Sequence, residues 1–272
     1  MNSDLERESM EAHPAPDVLS ERKGPVAWIT LNRPERRNSY DAAMGEQLIA
    51  AVREANDAAA IVITGTDGAF CAGGYLKDLA TATESDIRAM FDASFRLFDE
   101  IRRSPRPVIA AVNGGAFGGG NELVVACDFA IAVQSARFGQ TGPRVGSAPV
   151  LGGTNLLAIS VGEKRAKEIS MMCRRYTAAE ALELGWINEV VPDGGLEEAV
   201  ERWAQELLAL SPRYLEIAKI SSNVWWNQLR DNYLSGLGML SQAVGSPDQL
   251  EGANAFMEKR KPDFRGLNGA RA

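Results

Sequence analysis

Two glycine-rich turns are the first candidates for chemistry in this sequence. One is FCAGG at 70–74, after an apolar run at 60–64, and the other is GGAFGGG at 114–120, after an apolar run at 108–112. Glycine lets a backbone N–H group approach a ligand closely, and the second turn leads into a predicted helix, whose N-terminus favours negative charge. Two such turns at adjacent strand ends predict an oxyanion hole. Turn geometry alone would also explain each cluster, and no GxGxxG dinucleotide pattern opens the first predicted helix.

Histidine is nearly absent, which narrows the chemistry further. The one histidine, His13, lies near the start of the chain, and the three cysteines are widely spaced. A Ser-His-Asp or Cys-His mechanism is therefore nearly excluded, and we predict no metal site and no disulfide framework. The cysteines are expected to be small buried apolar residues. Proton transfer must use carboxylates, tyrosine, lysine or water, so electrostatic stabilisation is the expected source of catalysis.

Composition bounds the class of protein. The 272 residues are 45% hydrophobic and 24% charged, with a net charge of −7. An acidic chain without a basic stripe is a poor nucleic-acid binder, and no apolar run approaches the ~20 residues of a membrane helix. The polar, acidic first residues lack the pattern of a signal peptide. We therefore predict a mobile tail over 1–20, no membrane partner and a cytoplasmic location.

The elements that must position the glycine turns follow from hydrophobic patterning. Strands are predicted at 26–31, 60–64, 108–112 and 128–133, and helices between them at 41–55, 84–103 and 121–127. Such alternation predicts βαβ units and a mostly parallel sheet. From about residue 151 the pattern is nearly all helical, with one short strand at 187–191. We predict an α/β core over 21–205 and a helical C-terminal region over 206–272.

Four stretches in order resemble the enoyl-CoA hydratase/isomerase (crotonase) superfamily. They are NRPERRNSY, AFCAGGYLKDL, PVIAAVNGGAFGGGNELVVACDFAIA and ARFGQTGPRVGS. The resemblance runs from about residue 26 to 265. It implies a ClpP-like spiral core of repeated ββα units, a helical C-terminal region that drives trimerisation, and a homotrimer or a dimer of trimers. It also implies a coenzyme A thioester as substrate, with no tightly bound cofactor.

The resemblance assigns roles to particular residues. The oxyanion donors are the N–H groups of Gly74 and Gly119, which would stabilise a thioester enolate, and Glu122 matches the first of two catalytic glutamates of the hydratases. The second glutamate falls at Gly142. The candidate CoA and substrate contacts around the first turn are Arg37, Ala72, Tyr75, Leu76 and Lys77. Arg37 and Lys77 fall where relatives touch the CoA phosphates and pantetheine, and Ala72 where they meet the adenine.

The stretch FGQTGPRVGS is similar to a subgroup that makes or breaks C–C bonds beside a thioester. That subgroup contains 1,4-dihydroxy-2-naphthoyl-CoA synthase and 2-ketocyclohexanecarboxyl-CoA hydrolase. Gln140, Thr141 and Gly142 match a motif that binds bicarbonate in the synthases, and Ser147 matches a substrate-contacting serine. We expect an anion near 140–142, where glycine at 142 leaves space.

Other positions depart from the synthases. Ser170, Pro149 and Tyr75 stand where the subgroup has tryptophan, aspartate and aspartate, and its C-terminal tyrosine has no match near 241–242. The string GSAPVLGG is instead similar to 6-oxocyclohex-1-ene-1-carbonyl-CoA hydrolase. We therefore expect a C–C bond hydrolase that opens a cyclic β-oxo acyl-CoA by a retro-Claisen route. The alternatives are an enoyl-CoA hydratase that uses Glu122 alone, a synthase-like ring closure, and a non-catalytic acyl-CoA-binding protein.

Overall fold

Two sheets and a surrounding layer of helices build the fold in the computed structural model, which describes residues 16–75, 81–152 and 155–264. The strands are β1 (Val18–Lys23), β2 (Val26–Leu31), β3 (Ala60–Gly65), β4 (Ala69–Cys71), β5 (Val108–Val112), β6 (Gly115–Phe117), β7 (Phe129–Val133), β8 (Arg137–Gly139), β9 (Tyr176–Thr177) and β10 (Glu189–Val191). The helices are α1 (Ala42–Glu54), α2 (Glu84–Arg103), α3 (Gly119–Ala126), α4 (Leu157–Val161), α5 (Glu163–Met172), α6 (Ala178–Glu183), α7 (Leu196–Leu208), α8 (Pro212–Ser222), α9 (Val224–Gln242) and α10 (Pro247–Met257).

The larger sheet has the order β1-β2-β3-β5-β7-β10, and the smaller has the order β4-β6-β8-β9. Within the larger sheet, β1 is antiparallel to β2 and the remaining pairs are parallel. Each turn of the chain places one strand in the larger sheet, the next in the smaller sheet and then a helix, as β3-β4-α2 and β5-β6-α3 do. This confirms the predicted α/β class and the spiral of ββα units.

Alternating side chains place hydrophobic cores on both faces of the larger sheet. Ile61 and Ile63 of β3 join the core under α1 and α2, and Val62 between them joins a second core with Val200 of α7. Successive side chains of a strand point to opposite faces, which explains why β3 reads as a continuous apolar run rather than an alternating one. All five residues of β5 are buried for the same reason.

Helix α2 packs beside the glycine turns, and three of its residues line the same cavity as Gly74 and Gly119. It begins with a capping box, in which Thr83 and Asp86 bond to each other's backbone N–H groups. It ends at Arg103, and the C-cap Ser104 is followed by a proline, which favours an extended conformation in the residue before it. The predicted bounds of this helix are confirmed. Its buried face brings Phe91 and Ser94 toward the site.

The first described strand begins inside the segment predicted as a mobile tail. Val18 pairs with Leu31, and the register continues to Lys23 opposite Val26. Arg33 fixes this strand to the start of α1, because its guanidinium donates to Asp17 at 2.6 Å and to Asp41 at 2.7 Å. The tail prediction is therefore wrong for 18–20.

The C-terminal region is helical as predicted, with α8, α9 and α10 following one another. Trp226 is buried and its indole Nε1 donates to Asp99 at 2.9 Å. Leu237 is buried too, whereas Trp225 and Met239 are exposed. No helix of the described chain is long and apolar enough to cross a membrane.

Candidate active site

The two predicted glycine turns lie side by side. Tyr40 N–H donates to the Gly73 carbonyl at 3.0 Å, and Tyr75 N–H donates to the Tyr40 carbonyl at 3.2 Å. The backbone on either side of Gly74 is thereby fixed. Gly118 N–H donates to the Gly139 carbonyl at 3.0 Å, which fixes the second turn against the end of β8.

The N–H groups of Gly74 and Gly119 face a common space. Gly119 is the first residue of α3, where N–H groups have no partner within the helix. A Cβ atom on Gly119 would lie 3.5 Å from the Gly74 nitrogen, and one on Gly73 would lie 2.8 Å from the Gly119 nitrogen. Gly73 also has φ +94, which favours glycine. The two turns therefore bring both backbone nitrogens close together, which is the arrangement that an oxyanion hole requires.

Glu122 lies one turn into α3, and its side chain is held by the loop that follows β8. It is 3% exposed, and its Oε1 accepts hydrogen bonds from Leu151 N–H at 3.0 Å and Gly152 N–H at 2.8 Å. The carboxylate is therefore oriented by the protein rather than by solvent. It is the one acidic side chain among the described residues that line the cavity beside the glycine turns.

That cavity is lined by residues of both glycine turns. It brings together these predicted site residues: Ala72, Gly74, Gly119, Glu122, Gln140, Thr141, Gly142 and Ser147. Further lining residues that sequence reasoning missed are Tyr40, Met90, Phe91, Ser94, Val145 and Leu151. The mixture of apolar walls and a few polar groups is typical of a small-molecule site.

Gln140 is the least satisfied polar side chain in the cavity. It is 1% exposed, and neither its amide oxygen nor its amide nitrogen has a hydrogen-bond partner within the described structure. A buried amide without partners costs free energy, so this side chain is suited to pair with a ligand.

Gly142 does not leave the space expected from the sequence. A Cβ atom there would lie 2.9 Å from the Ala148 Cα and 2.9 Å from the Ser147 carbonyl oxygen. The backbone of the following loop fills the position that a glutamate side chain would need, and Ser147 N–H donates to the Gly142 carbonyl at 2.9 Å. The expectation of open space at 142 is therefore wrong.

Of the other predicted CoA contacts, Arg37 and Tyr75 do not line this cavity. The Arg37 side chain is exposed, and its carbonyl accepts a hydrogen bond from Ala72 N–H at 3.0 Å, which joins it to the first glycine turn. The Arg36 guanidinium lies 4.0 Å from the centre of the Tyr75 ring. Two arginines therefore lie near the first turn. Leu76 and Lys77 lie outside the described residues.

Tyr40 lies in the segment between β2 and α1 and is bonded through its backbone to the first glycine turn. It is 2% exposed, and its Oη lies 2.8 Å from the position of a Cβ on Gly119. Ser94 lines the same cavity, and burial raises the pKa of the Tyr40 phenol well above its ordinary value. The phenol is therefore neutral and keeps its proton. An isolated tyrosine beside a predicted helix start carries no sequence signal for such a position.

The cysteines are buried and free, as expected. Burial raises the pKa of the Cys71 thiol to about 12, so it stays protonated beside the first glycine turn and is a poor nucleophile. Among the described residues, no group of three or more His, Cys, Asp or Glu side chains is placed to hold a metal ion.

The family model for enoyl-CoA hydratase/isomerase matches residues 21–267. The chain belongs to the enoyl-CoA hydratase/isomerase family. It is thus a crotonase-family acyl-CoA enzyme, and the family acts on CoA thioesters.

Solved structures with the same fold carry several activities. Enoyl-CoA hydratase from Bacillus anthracis is 34% identical, with a TM-score of 0.75 over 92% of this chain and 100% of that chain. Carnitinyl-CoA hydratase from Mycobacterium avium is 32% identical, with a TM-score of 0.79 over 92% of this chain and 98% of that chain. Methylmalonyl-CoA decarboxylase in complex with 2-nitronate-propionyl-CoA is 26% identical, with a TM-score of 0.82 over 92% of this chain and 99% of that chain.

Proposed function

We propose that this crotonase-family enzyme hydrolyses a C–C bond of a cyclic β-oxo acyl-CoA by a retro-Claisen route. The observation that carries the proposal is the buried Gln140 amide, which lacks protein partners. A linear enoyl chain has no polar atom beyond its thioester, so in a hydratase only the attacking water could pair with that amide. A ring ketone offers an acceptor oxygen, and the water that attacks it offers a donor. Pairing a buried amide avoids a cost of about 1–3 kcal/mol.

The reaction needs three steps, and each has a group in the cavity. Glu122 accepts a proton as water adds to the ring ketone, which becomes a tetrahedral alkoxide. The bond between Cα and the former ketone carbon then breaks, and its electron pair forms the thioester enolate, whose oxygen accepts from the N–H groups of Gly74 and Gly119. Finally Cα takes up the proton that Glu122 accepted, which returns Glu122 to the carboxylate. The products are an acyl-CoA with one new C–H bond and one new carboxyl group.

The glycine turns act in the step that forms the enolate. Negative charge on the thioester oxygen is larger in the enolate than in the bound thioester, so two preorganised donors stabilise the transition state more than the ground state. Losing one such donor typically costs ~2.7–4 kcal/mol of barrier. A protein that only binds acyl-CoA has no need of these donors, which argues against the non-catalytic alternative.

Product analysis in H₂¹⁸O tests the proposal. The purified enzyme is incubated with a six-membered cyclic β-oxo acyl-CoA and, separately, with a linear trans-2-enoyl-CoA. Both products gain one water, so the mass alone does not distinguish them. Esterification with methanol counts free carboxyl groups, and the retro-Claisen product carries one additional carboxyl with ¹⁸O. Turnover of the enoyl-CoA to a hydroxyacyl-CoA without ring opening of the β-oxo substrate would overturn the proposal.

A Gln140→Leu variant tests whether the buried amide of Gln140 takes part in the reaction. Leucine keeps most of the volume and removes the amide. We expect kcat/KM for the β-oxo substrate to fall roughly 10- to 10²-fold, because one hydrogen bond to a ligand is worth about 1–3 kcal/mol in a buried site. Any activity on enoyl-CoA should be unchanged or higher. Equal losses on both substrates would show that Gln140 has a structural role.

A hydratase that uses Glu122 alone is the second candidate. Two of the solved structures reported above are named as hydratases, and Glu122 lies in the cavity where a single general base would act. Ring closure of the synthase type would use the same enolate in reverse. The product assay distinguishes the hydrolase from the hydratase.

Bicarbonate is the other occupant that the resemblance implies for Gln140 and Thr141. A small anion there would compete with the ring ketone for the same amide. Activity is therefore measured in bicarbonate, chloride and nitrate at constant ionic strength. Activation by bicarbonate alone would support the anion, and identical rates in the three salts would exclude it.

A homotrimer or a dimer of trimers is our proposal for the assembly. Three apolar side chains of helix α8, Tyr214, Ile217 and Ile220, are 73%, 47% and 43% exposed. Apolar surface of this kind marks an interaction site. The cytoplasmic location stays a prediction.

A further inference from the structure

The Tyr40 hydroxyl lies close to both glycine turns. Its Oη is 2.8 Å from the Cβ position of Gly119, and that position is 3.5 Å from the Gly74 nitrogen. The space in front of Gly119 is therefore bounded by one backbone N–H group and one phenol. Tyr40 also lines the cavity that holds Glu122 and Gln140.

The backbone leaves Tyr40 little freedom to move away from this position. Its N–H donates to Gly73 and its carbonyl accepts from Tyr75, so its main chain forms a bridge across Gly74. Its ring is almost fully buried. A side chain fixed at both backbone groups and packed on all sides costs little further entropy when it binds a ligand.

The phenol has one proton to donate. Ser94 Oγ, on the wall of the same cavity, donates its own proton to the Met90 carbonyl at 2.8 Å and can therefore act as an acceptor. A thioester oxygen placed between the glycine N–H groups would be the second acceptor. An enolate oxygen is a stronger acceptor than a neutral serine hydroxyl, because hydrogen bonds to charged groups are stronger.

We infer that the Tyr40 hydroxyl turns from Ser94 to the thioester oxygen as the enolate forms, and donates a third hydrogen bond to it. The inference rests on the enolate chemistry of the proposed function, and it holds for any reaction of this site that passes through an enolate. No proton is transferred, because burial raises the pKa of the phenol and it remains neutral. Tyr40 is then a catalytic residue, since it stabilises the reacting oxygen only when that oxygen is charged.

Binding of an enolate mimic tests this directly. The probe is 2-nitropropionyl-CoA, which ionises at Cα and spreads its charge onto the thioester oxygen. The reference ligand is the matching CoA thioether, which lacks the carbonyl oxygen. The measured quantity is the ratio of the two dissociation constants, obtained by calorimetry for the parent, Tyr40→Phe and Ser94→Ala.

We expect the parent to prefer the nitronate, and Tyr40→Phe to reduce that preference roughly 10- to 10²-fold, as for a hydrogen bond to a charged group. Its thioether affinity should stay within about threefold of the parent, which shows that the variant folds and binds CoA. Ser94→Ala keeps the phenol and should keep the preference. A Tyr40→Phe variant with the parent's preference would overturn the inference, and so would a complete loss in Ser94→Ala.

The same data separate this inference from the proposed function. If the parent itself does not prefer the nitronate to the thioether, the enolate chemistry fails and the proposed function fails with it. If the parent prefers the nitronate and Tyr40→Phe does so equally, only the role of Tyr40 is wrong.

Discussion

A methyl group on Gly119 should close the oxyanion hole. In Gly119→Ala the new Cβ would lie 2.8 Å from the Tyr40 Oη and 3.5 Å from the Gly74 nitrogen. An acceptor oxygen should lie about 2.7–3.1 Å from each donor, so the methyl occupies the space that this oxygen needs. The substitution therefore obstructs the Gly74 donor as well as the Gly119 donor.

The expected loss of activity follows from these contacts. One oxyanion donor is worth ~2.7–4 kcal/mol, so kcat/KM should fall by at least roughly 10²–10³-fold. Stability should change less. Crowding Tyr40 costs about 1–3 kcal/mol, and alanine recovers up to ~1 kcal/mol of helix propensity over glycine.

The assay combines steady-state kinetics on the best thioester substrate with thermal unfolding. Gly194→Ala is the matched control, because an added Cβ there meets no atom within 4 Å and the residue has no left-handed φ. It should keep the parent's rate. A folded Gly119→Ala enzyme with the parent's kcat/KM would refute the placement of the oxyanion hole.

Three further predictions follow from the same structure. Glu122→Gln should lower kcat roughly 10²–10⁴-fold, as expected for a lost general base, while CoA-ester binding survives because glutamine can still accept the two loop N–H bonds; full activity would reduce Glu122 to a structural role. Ile217→Glu should convert a trimer, or a dimer of trimers, into smaller species by light scattering at micromolar concentration, and a monomeric parent would contradict the proposed assembly. Arg33→Met should destabilise the protein by roughly 1–3 kcal/mol at pH 7. Hydrogen bonding from Arg33 lowers the pKa of Asp17, so this contribution is present above the unfolded value of about 3.9 and is lost as pH falls through the folded one. The difference between parent and variant in thermal unfolding should therefore shrink below about pH 4, and a difference independent of pH would contradict the ion pair.

Local sequence patterns predicted the helices and strands whose ends are marked by neighbouring residues. Helix α2 has a capping residue at one end and a serine–proline pair at the other, and both were visible in the sequence. Strand β5 is apolar throughout, because it is covered on both faces. Such elements are determined by residues close in sequence, so sequence reasoning found them.

The smaller sheet could not be predicted from the sequence. Strands β4, β6 and β8 have three residues each and lie among the turn residues that the glycine pattern explains. Their pairing partners are distant in sequence, as with Ala69 opposite Gly115. A segment of three residues has no measurable periodicity, so nothing local separates these strands from the turns. The polar strand β1 was missed for a related reason, since most of it is exposed.

In the candidate site, too, features set by local sequence were predicted and features set by distant contacts were not. The glycine turns and Glu122 were predicted because their types and spacing carry the resemblance, and the structure brings them into one cavity. Tyr40 was missed, because its approach to Gly119 depends on the packing of two loops rather than on spacing. At Gly142 the sequence shows a missing side chain, and only the structure shows that the backbone of the next loop occupies its place.

The infrared stretch of a bound thioester carbonyl tests the central claim most directly. A ¹³C=O-labelled acyl-CoA is bound to the parent and to Gly119→Ala, and the labelled band is isolated by subtracting the unlabelled complex. If the N–H groups of Gly74 and Gly119 hold the thioester oxygen, the band should shift to lower frequency in the parent and stay near its solution frequency in the variant. A parent complex whose carbonyl absorbs at the solution frequency would contradict the account.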